Sequence, residues 1–185
     1  MAADASSGPR TPSDFERPSS SLSGRLTLRM MNVGHSRLHR WGLEAAGIGH
    51  SSRVLDVGCG GGAAVRRILR LTRAEVGAVD HSPAAVESTR RLNAAAAASG
   101  RLRVVEGSVE ALPFRSGYFD VVTAFETVYF WPDLVAGLRE TARVLAPGGR
   151  LVVADECADR QAAGAWADRL AMNVPDGDEL VSSCR

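Results

Sequence analysis

The stretch from residue 53 to residue 64, RVLDVGCGGGAA, constrains the possible fold of this chain more than any other. Val54, Leu55 and Val57, interrupted only by Asp56, predict a short buried strand. A glycine-dense turn follows, and a helix is predicted to begin at about Ala63. Glycine permits positive φ in tight turns and lets the backbone approach a ligand closely. A strand, a glycine turn and a helix in this order predict a ligand crevice at the carboxyl end of a parallel sheet.

The glycine turn fits two kinds of cofactor loop. Gly58, Gly60 and Ala63 match the G-x-G-x-x-G/A dinucleotide pattern, so NAD binding is one interpretation. Asp56 favours another ligand, because a carboxylate at the mouth of the loop repels a pyrophosphate and attracts an ammonium group. With Asp56 included, the loop reads D-x-G-x-G-x-G and resembles motif I of the class I S-adenosylmethionine-dependent methyltransferases. The resemblance implies that Gly58, Cys59 and Gly60 contact this cofactor and that Asp56 lies near its ammonium group.

A second acidic residue follows the next predicted strand. That strand, residues 75–79, ends at Asp80, which lies 22 positions after Gly58. A carboxylate at this place can accept hydrogen bonds from both hydroxyls of a cofactor ribose. The predicted cofactor site also includes the neighbouring His81. The residues that follow, 82–99, begin with a capping serine and predict one continuous helix.

The segment after the third predicted strand resembles the part of a methyltransferase that holds the adenine edge. This strand spans residues 102–105 and leads into EGSVEALPF at 106–114. The family commonly has an aspartate before the pattern x-E-x-L-P-F, and Ser108 stands at that position here. A hydroxyl accepts a hydrogen bond from the adenine amino group more weakly than a carboxylate does. The backbone N–H of Val109 or Glu110 is predicted to serve the ring nitrogen.

The fourth predicted strand ends in a cluster of aromatic and acidic residues. Residues 117–125 form a turn and a near-continuous apolar run, as expected for a strand covered on both faces. The resemblance implies that Phe125 and Glu126 contact the methionine part of the cofactor. An amphipathic helix is predicted over 132–145, and the glycine turn APGG ends it. A fifth strand follows at 150–154, within a phrase that resembles the same methyltransferases.

These pieces predict an α/β fold: a Rossmann-like, doubly wound, mostly parallel sheet with helices on both faces. Terminal strands six and seven of the class are expected to be missing, so we expect a domain over 48–185 that is truncated at its C-terminus. Helices are predicted at 159–172 and 177–185. A disordered, serine- and proline-rich tail is expected at 1–22, because it can bury little apolar surface. Residues 23–47 predict a helical cap.

Two interpretations of the cap stay open. Its predicted apolar face comprises Leu26, Met30, Leu38, Trp41 and Ala45. In the first interpretation the cap is a lid over cofactor and substrate, lined by Met30, Met31, Asn32, His35 and Trp41. In the second it is a helix packed at the edge of the domain, with His35 and His39 in solvent.

Composition and charge limit the classes of partner. The formal net charge of +1 gives no indication of nucleic acid or an anionic membrane, so neither is predicted as a partner. The three cysteines are scattered, and no CxxC or Cys/His cluster predicts a metal site. A cytoplasmic, reduced protein without a metal is therefore expected.

The resemblance identifies the chain as a class I methyltransferase of the type 11 group. It implies transfer of a methyl group from S-adenosylmethionine to an unidentified acceptor, with a small molecule expected. Two alternatives stay open: an NAD-dependent oxidoreductase and a non-catalytic cofactor-binding module. No spacing selects a catalytic base, so the catalytic residue is unassigned among Glu126, Tyr129, His35 and His81. The sequence also leaves the oligomeric state open.

Overall fold

The structure, a computed structural model, describes residues 35–156 and Asp178. In this part of the chain, β-strands and α-helices alternate. The strands are β1 (Val54–Val57), β2 (Val76–Asp80), β3 (Leu102–Glu106), β4 (Phe119–Phe125) and β5 (Leu145–Ala154). The helices are α1 (Ser36–Ala46), α2 (Ala63–Leu71), α3 (Pro83–Leu92), α4 (Ala94–Ala98) and α5 (Leu134–Val144). Two short 3₁₀ helices span Val109–Ala111 and Val128–Phe130.

Several predictions concern residues outside this range. The tail at 1–22, the cap residues 23–34 and the helix at 159–172 lie outside the described residues. The same holds for the helix at 177–185, Asp178 apart, and for the expected lack of strands six and seven.

The five strands form one parallel sheet in the order β3-β2-β1-β4-β5. In the central strand, Val54 pairs with Val76 of β2 on one side and with Val121 of β4 on the other. The chain therefore runs outward from β1 to β3, then crosses back to β4. This order confirms the predicted doubly wound fold, and the reversal between β1 and β4 opens a crevice at their carboxyl ends.

Helices cover both faces of the sheet. Alternate residues of β1 point to opposite faces, so Val54 and Leu55 belong to two separate cores. Val54 packs in the core that α1, α2 and α3 cover, whereas Leu55 packs in the core that α5 covers. Both side chains are fully buried, and each such burial contributes roughly 1.5–3 kcal/mol relative to exposure. Two covered faces explain why β1 and β2 are apolar at nearly every position.

The single helix predicted over 82–99 is wrong, because the structure divides it at Asn93. The predicted serine cap is confirmed, since Ser82 Oγ accepts a hydrogen bond from the backbone N–H three residues later at 3.3 Å. Asn93 is buried, and its Nδ2 donates to the carbonyls of Gly62 (3.2 Å) and Thr89 (3.0 Å). Asparagine readily bonds to nearby backbone in this way, which competes with a continuous helix.

The APGG segment is also not a simple helix-ending turn. The structure begins β5 directly at Leu145, five residues before the predicted start at Arg150. Leu145 pairs with Phe119 and Arg150 pairs with Val121, so the intervening residues form a register shift in the ladder. Gly148 supplies the positive φ of +76° that this irregular stretch requires.

Candidate functional site

The glycine turn between β1 and α2 is tied to the neighbouring strand by its backbone. The N–H groups of Gly58 and Cys59 both donate to the carbonyl of Val79, at 2.8 and 3.1 Å. Gly58, Gly60 and Gly62 adopt positive φ values of +73°, +49° and +84°. The predicted tight turn at the end of β1 is therefore present, with glycine at each left-handed position.

The three left-handed glycines serve different purposes. A Cβ on Gly58 would lie 2.3 Å from Oγ1 of Thr127, and one on Gly62 would lie 2.8 Å from Cα of Thr89. These two glycines allow close packing inside the protein. A Cβ on Gly60 would meet no atom nearer than 3.9 Å, so Gly60 is the loop position whose backbone faces open space. The sequence alone did not distinguish the glycines that allow close packing from the one that leaves the backbone open.

Asp80 holds the loop from the end of β2. Gly60 N–H donates to its Oδ2 and Ser82 N–H donates to its Oδ1, both at 2.9 Å. The side chain is buried, and burial raises the pKa of Asp80 while these two hydrogen bonds oppose the rise. Each carboxylate oxygen has a further lone pair, so the two acceptor oxygens fit the hydroxyl groups of a ribose diol. His81, next in the chain, is exposed.

Asp56 lies deeper, at the carboxyl end of β1. Its Oδ1 accepts a hydrogen bond of 2.6 Å from Thr123 Oγ1 of β4, and the residue is 2% exposed. Burial is the main cause that raises the pKa of Asp56 to about 7; the Thr123 bond opposes the shift and the charge of Asp80 adds to it. A cation in the site would favour the charged carboxylate.

A small cavity of about 30 Å³, partly open to solvent, lies between α1, the glycine turn and the end of β4. Residues from four elements line it: His35, His39, Asp56, Gly58, Cys59, Gly60, Gly61, Ala63, Ala64 and Phe125. The structure thus brings together five of the predicted site residues, Asp56, Gly58, Cys59, Gly60 and Phe125. Asp80 adjoins the cavity through its bond to Gly60.

The predicted adenine segment forms a separate turn after β3. Ser108 caps the 3₁₀ helix, because its Oγ accepts a hydrogen bond from Glu110 N–H at 3.2 Å. The side chain of Glu110 lies against the same hydroxyl, at 3.4 Å. The N–H of Glu110 is thus used within the turn, whereas that of Val109 has no acceptor among the described residues. Between the two predicted donors, the contacts favour Val109.

Glu126 joins the ends of β4 and β5. Among the described residues it is the only non-glycine residue with positive φ, +54°. Its Oε2 accepts a 2.6 Å hydrogen bond from the Tyr129 hydroxyl, and its Oε1 accepts one from Glu156 N–H. Burial, together with the charge of Glu126, raises the pKa of the adjacent Asp155 to about 7. Glu126 and Tyr129 are thus bonded to each other, while His35 is the candidate base that lines the cavity.

The predicted apolar face of the cap helix is wrong at Trp41 and Ala45, whereas Leu38 packs partly buried against the core. Trp41 is 63% exposed and Ala45 is exposed, whereas His39, Gly42, Leu43 and Ala46 are buried. The reason is Gly42: a Cβ there would lie 2.5 Å from Phe125, so the missing side chain lets α1 approach β4. Trp41 therefore does not line the cavity. Met30, Met31 and Asn32, the other predicted lid residues apart from His35, lie outside the described residues.

The edge-helix interpretation of the cap places His39 in solvent, and this is wrong; His39 is the residue at this site that sequence reasoning missed. It is 7% exposed, and its ring centroid lies 5.0 Å from that of Phe125 in an edge-to-face contact. Its Nδ1 lies 3.4 Å from Nη1 of Arg67. The available signal was the four-residue spacing of His35 and His39, continued by Leu43, which marks one helical face.

The fold and site define a Rossmann-like protein with a crevice at the carboxyl end of β1. A family model described as "Methyltransferase domain" matches residues 55–153, and the chain belongs to this family. This confirms the predicted class of S-adenosylmethionine-dependent methyltransferases and its cofactor.

Curated relatives extend the likeness but are longer. A cycloartenol-C-24-methyltransferase of Oryza sativa subsp. japonica is 33% identical over 111 residues, 60% of this chain and 32% of the relative. A malonyl-[acyl-carrier protein] O-methyltransferase of Halorhodospira halophila is 38% identical over 122 residues, 64% of this chain and 40% of the relative. The chain thus spans less than half the length of these relatives.

A solved structure agrees with the fold. The complex between the Haloferax volcanii Trm112 methyltransferase activator and a methyltransferase superposes with a TM-score of 0.78 at 23% identity. The match covers 88% of this chain and 71% of that chain. Over residues 35–156, no helix is long and apolar enough to cross a membrane. The same part of the chain contains no group of three His, Cys, Asp or Glu side chains arranged to hold a metal ion.

Proposed function

We propose that this chain binds S-adenosylmethionine in the crevice between β1 and β4 and transfers its methyl group to a small-molecule acceptor. The observation that carries the proposal is the Asp80 carboxylate, which fixes the open Gly60 backbone beside the Asp56 cavity. The cofactor supplies a methyl group already activated on a sulfonium, so the protein mainly has to align the reacting atoms.

Several of the predicted cofactor contacts have a chemical reason in the structure. Asp80 keeps free lone pairs for the two ribose hydroxyls, and Gly60 offers backbone with no side chain in the way. Asp56 supplies negative charge for the ammonium group. The N–H of Val109, which has no acceptor among the described residues, is proposed to donate to an adenine ring nitrogen, with Ser108 beside it. Glu126 reaches the ammonium group only through the lone pairs that its two protein donors leave.

The acceptor is proposed as a small molecule on the strength of the family. The relatives above are named for methylation at a sterol carbon and at an oxygen, so they do not indicate one acceptor atom. A general base is required only where the acceptor carries a proton at working pH. His35 and Asp155 are then the candidates to test first, because one lines the cavity and the other is a carboxyl whose pKa lies near 7. A cytoplasmic location remains a prediction.

Calorimetric titration of the purified chain tests the cofactor assignment. S-Adenosylhomocysteine is expected to bind saturably, and NADH is expected not to bind. Asp80→Ala should abolish binding, while Asp80→Asn, which keeps one acceptor oxygen, should retain part of it. Binding of NADH in place of S-adenosylhomocysteine would support the oxidoreductase alternative. Cofactor binding without methyl transfer to any acceptor in a broad panel would support the non-catalytic alternative.

A further inference from the structure

One side chain of the cavity has no role in the site described so far. His39 lies on α1 and lines the same cavity as Asp56 and the glycine turn. Its ring is held edge-to-face against Phe125, and Gly42 one turn later allows this close approach. The orientation of the imidazole is therefore fixed by packing.

Arg67 determines which ring nitrogen of His39 carries the proton. A guanidinium can only donate, so Nδ1 of His39, 3.4 Å from Nη1 of Arg67, must be the acceptor. The same Nη1 donates to the Ala63 carbonyl at 3.2 Å, which holds Arg67 in place on the first turns of α2. The proton of a neutral imidazole then lies on Nε2.

That Nε2–H is available to a ligand. His39 makes no other hydrogen bond among the described residues. In the same residues, the fully buried side-chain N and O atoms without a partner are Arg101 Nε and Asp155 Oδ1. Nε2 of His39 is not one of them, so it is open to the cavity. The cavity therefore offers the Nε2–H donor of His39 and the carboxyl of Asp56. Together these two groups match the carboxylate and the ammonium of an amino-acid zwitterion.

The charge around His39 favours an anion and keeps the ring neutral. Burial, followed by the charges of Arg67 and His35, lowers the pKa of His39 to about 4. Arg40 and Arg70 lie close enough to Arg67 to lower its pKa as well, after the effect of burial. Arg67 thus places positive charge next to His39, in a cavity that the carboxyl of Asp56 also lines.

We infer that His39 is a positioning residue whose Nε2–H donates to the α-carboxylate of the cofactor's methionine moiety, with Arg67 fixing the tautomer. This inference rests on the cofactor site proposed above. It also gives α1 a defined function: the helix closes the methionine end of the crevice. A neutral ring with its only free nitrogen protonated cannot accept a proton, so His39 is not a base for the acceptor.

Binding of two related ligands to His39 variants distinguishes a contact with the cofactor's carboxylate from a purely structural role of His39. S-Adenosylhomocysteine carries the amino-acid group, whereas 5′-methylthioadenosine lacks it and keeps the nucleoside. His39→Leu should weaken S-adenosylhomocysteine about 10- to 100-fold, the effect of losing a hydrogen bond to a charged group, and leave methylthioadenosine within about twofold. His39→Gln, whose amide can place an N–H near the position of Nε2, should recover much of the loss.

The tautomer is tested separately by nitrogen-15 NMR of the imidazole. The wild-type chain should show Nε2 protonated and Nδ1 unprotonated at neutral pH. Arg67→Gln should release that preference, while Arg66→Gln, at an exposed neighbouring position, should leave both the tautomer and the binding unchanged.

The possible failures can be distinguished. If the wild-type chain binds neither ligand, the cofactor site is wrong and the role of His39 falls with it. If both ligands bind and His39→Leu weakens both equally, or neither, the cofactor site stands and the role of His39 is refuted. A protonated Nδ1 in the wild-type chain also refutes it.

Discussion

Substitution of Gly58 by alanine should destabilise the fold far more than its place in a ligand loop suggests. A Cβ on Gly58 would lie 2.3, 2.7 and 3.0 Å from Oγ1, Cβ and Cγ2 of Thr127. All three side-chain atoms are too close, so rotation of Thr127 about χ1 cannot relieve the clash. Alanine at φ +73° costs roughly 1–2 kcal/mol and overpacking adds roughly 1–3 kcal/mol. The expected loss is about 2–5 kcal/mol of unfolding free energy.

Gly60→Ala is the matched control, two residues along the same loop. Its φ of +49° imposes the same left-handed cost, but the nearest atom to a Cβ is 3.9 Å away. We expect a loss of roughly 1–2 kcal/mol in stability. Because the new methyl group occupies the open face of the loop, Gly60→Ala should instead weaken S-adenosylhomocysteine binding. The two glycines should therefore separate stability from binding.

Chemical denaturation with a fitted m-value measures the stability difference, and calorimetry below the unfolding transition measures binding. A loss of 3 kcal/mol corresponds to roughly 6–12 °C in Tm for a chain of this size. Adding Thr127→Gly to Gly58→Ala removes every clashing atom, so the double-mutant cycle should show a favourable coupling of about 1–3 kcal/mol. Equal losses for the two alanine variants, or a coupling near zero, would refute the assignment of Gly58 to packing.

Three further predictions concern charge. The pKa of Asp56 is about 7, and an ammonium group nearby favours its charged carboxylate. S-Adenosylhomocysteine binding should therefore release protons. The affinity for this ligand should rise with pH up to about 7 and then level off. Calorimetry in buffers of different ionisation enthalpy measures the number of protons released on binding. Asp56→Asn should abolish the proton release, and proton uptake on binding would contradict the prediction. Thr123→Val removes a bond that lowers the pKa of Asp56, so the levelling-off should move to higher pH in the same titration; an unchanged profile would contradict that coupling. The Arg53–Asp120 ion pair, 2.8 Å long and about a third exposed, should show a double-mutant coupling of at most about 1 kcal/mol. Arg53 lowers the pKa of Asp120 in the folded chain, so this coupling is expected above pH 4 and lost on acidification through that lowered pKa; a coupling that persists in strong acid would refute the ionic account.

The order of the elements was predictable because each boundary has a local cause. Ser82 caps α3 through its own hydroxyl, and β1 is apolar because both its faces are covered. The division at Asn93 was not predictable from helix propensity. Its side chain is bonded to the Gly62 carbonyl, 31 residues away in sequence, and only the tertiary fold brings the two together.

The buried face of the cap helix at the candidate site also depends on tertiary contacts, so local sequence did not predict it. Periodicity predicted one apolar face, the one that carries Trp41, because tryptophan is more hydrophobic than the histidine at position 39. The structure buries His39 because Gly42 beside it lets Phe125 approach, and because Arg67 supplies a partner for the ring. Both reasons are contacts with residues distant in sequence, so they cannot be inferred from the sequence of the helix alone.

Asp80 shows why a residue's structural and binding roles are difficult to separate from sequence. Its spacing from Gly58 predicted a ribose ligand, yet in the structure both oxygens already accept backbone N–H groups, from Gly60 and Ser82. These bonds hold the loop in one shape before any ligand arrives, which reduces the ordering cost of binding. Loss of binding in Asp80→Ala could therefore come from a loosened loop as well as from a lost ribose contact. Asp80→Asn restores one acceptor, so comparing both variants in stability and in binding assigns the loss to one cause.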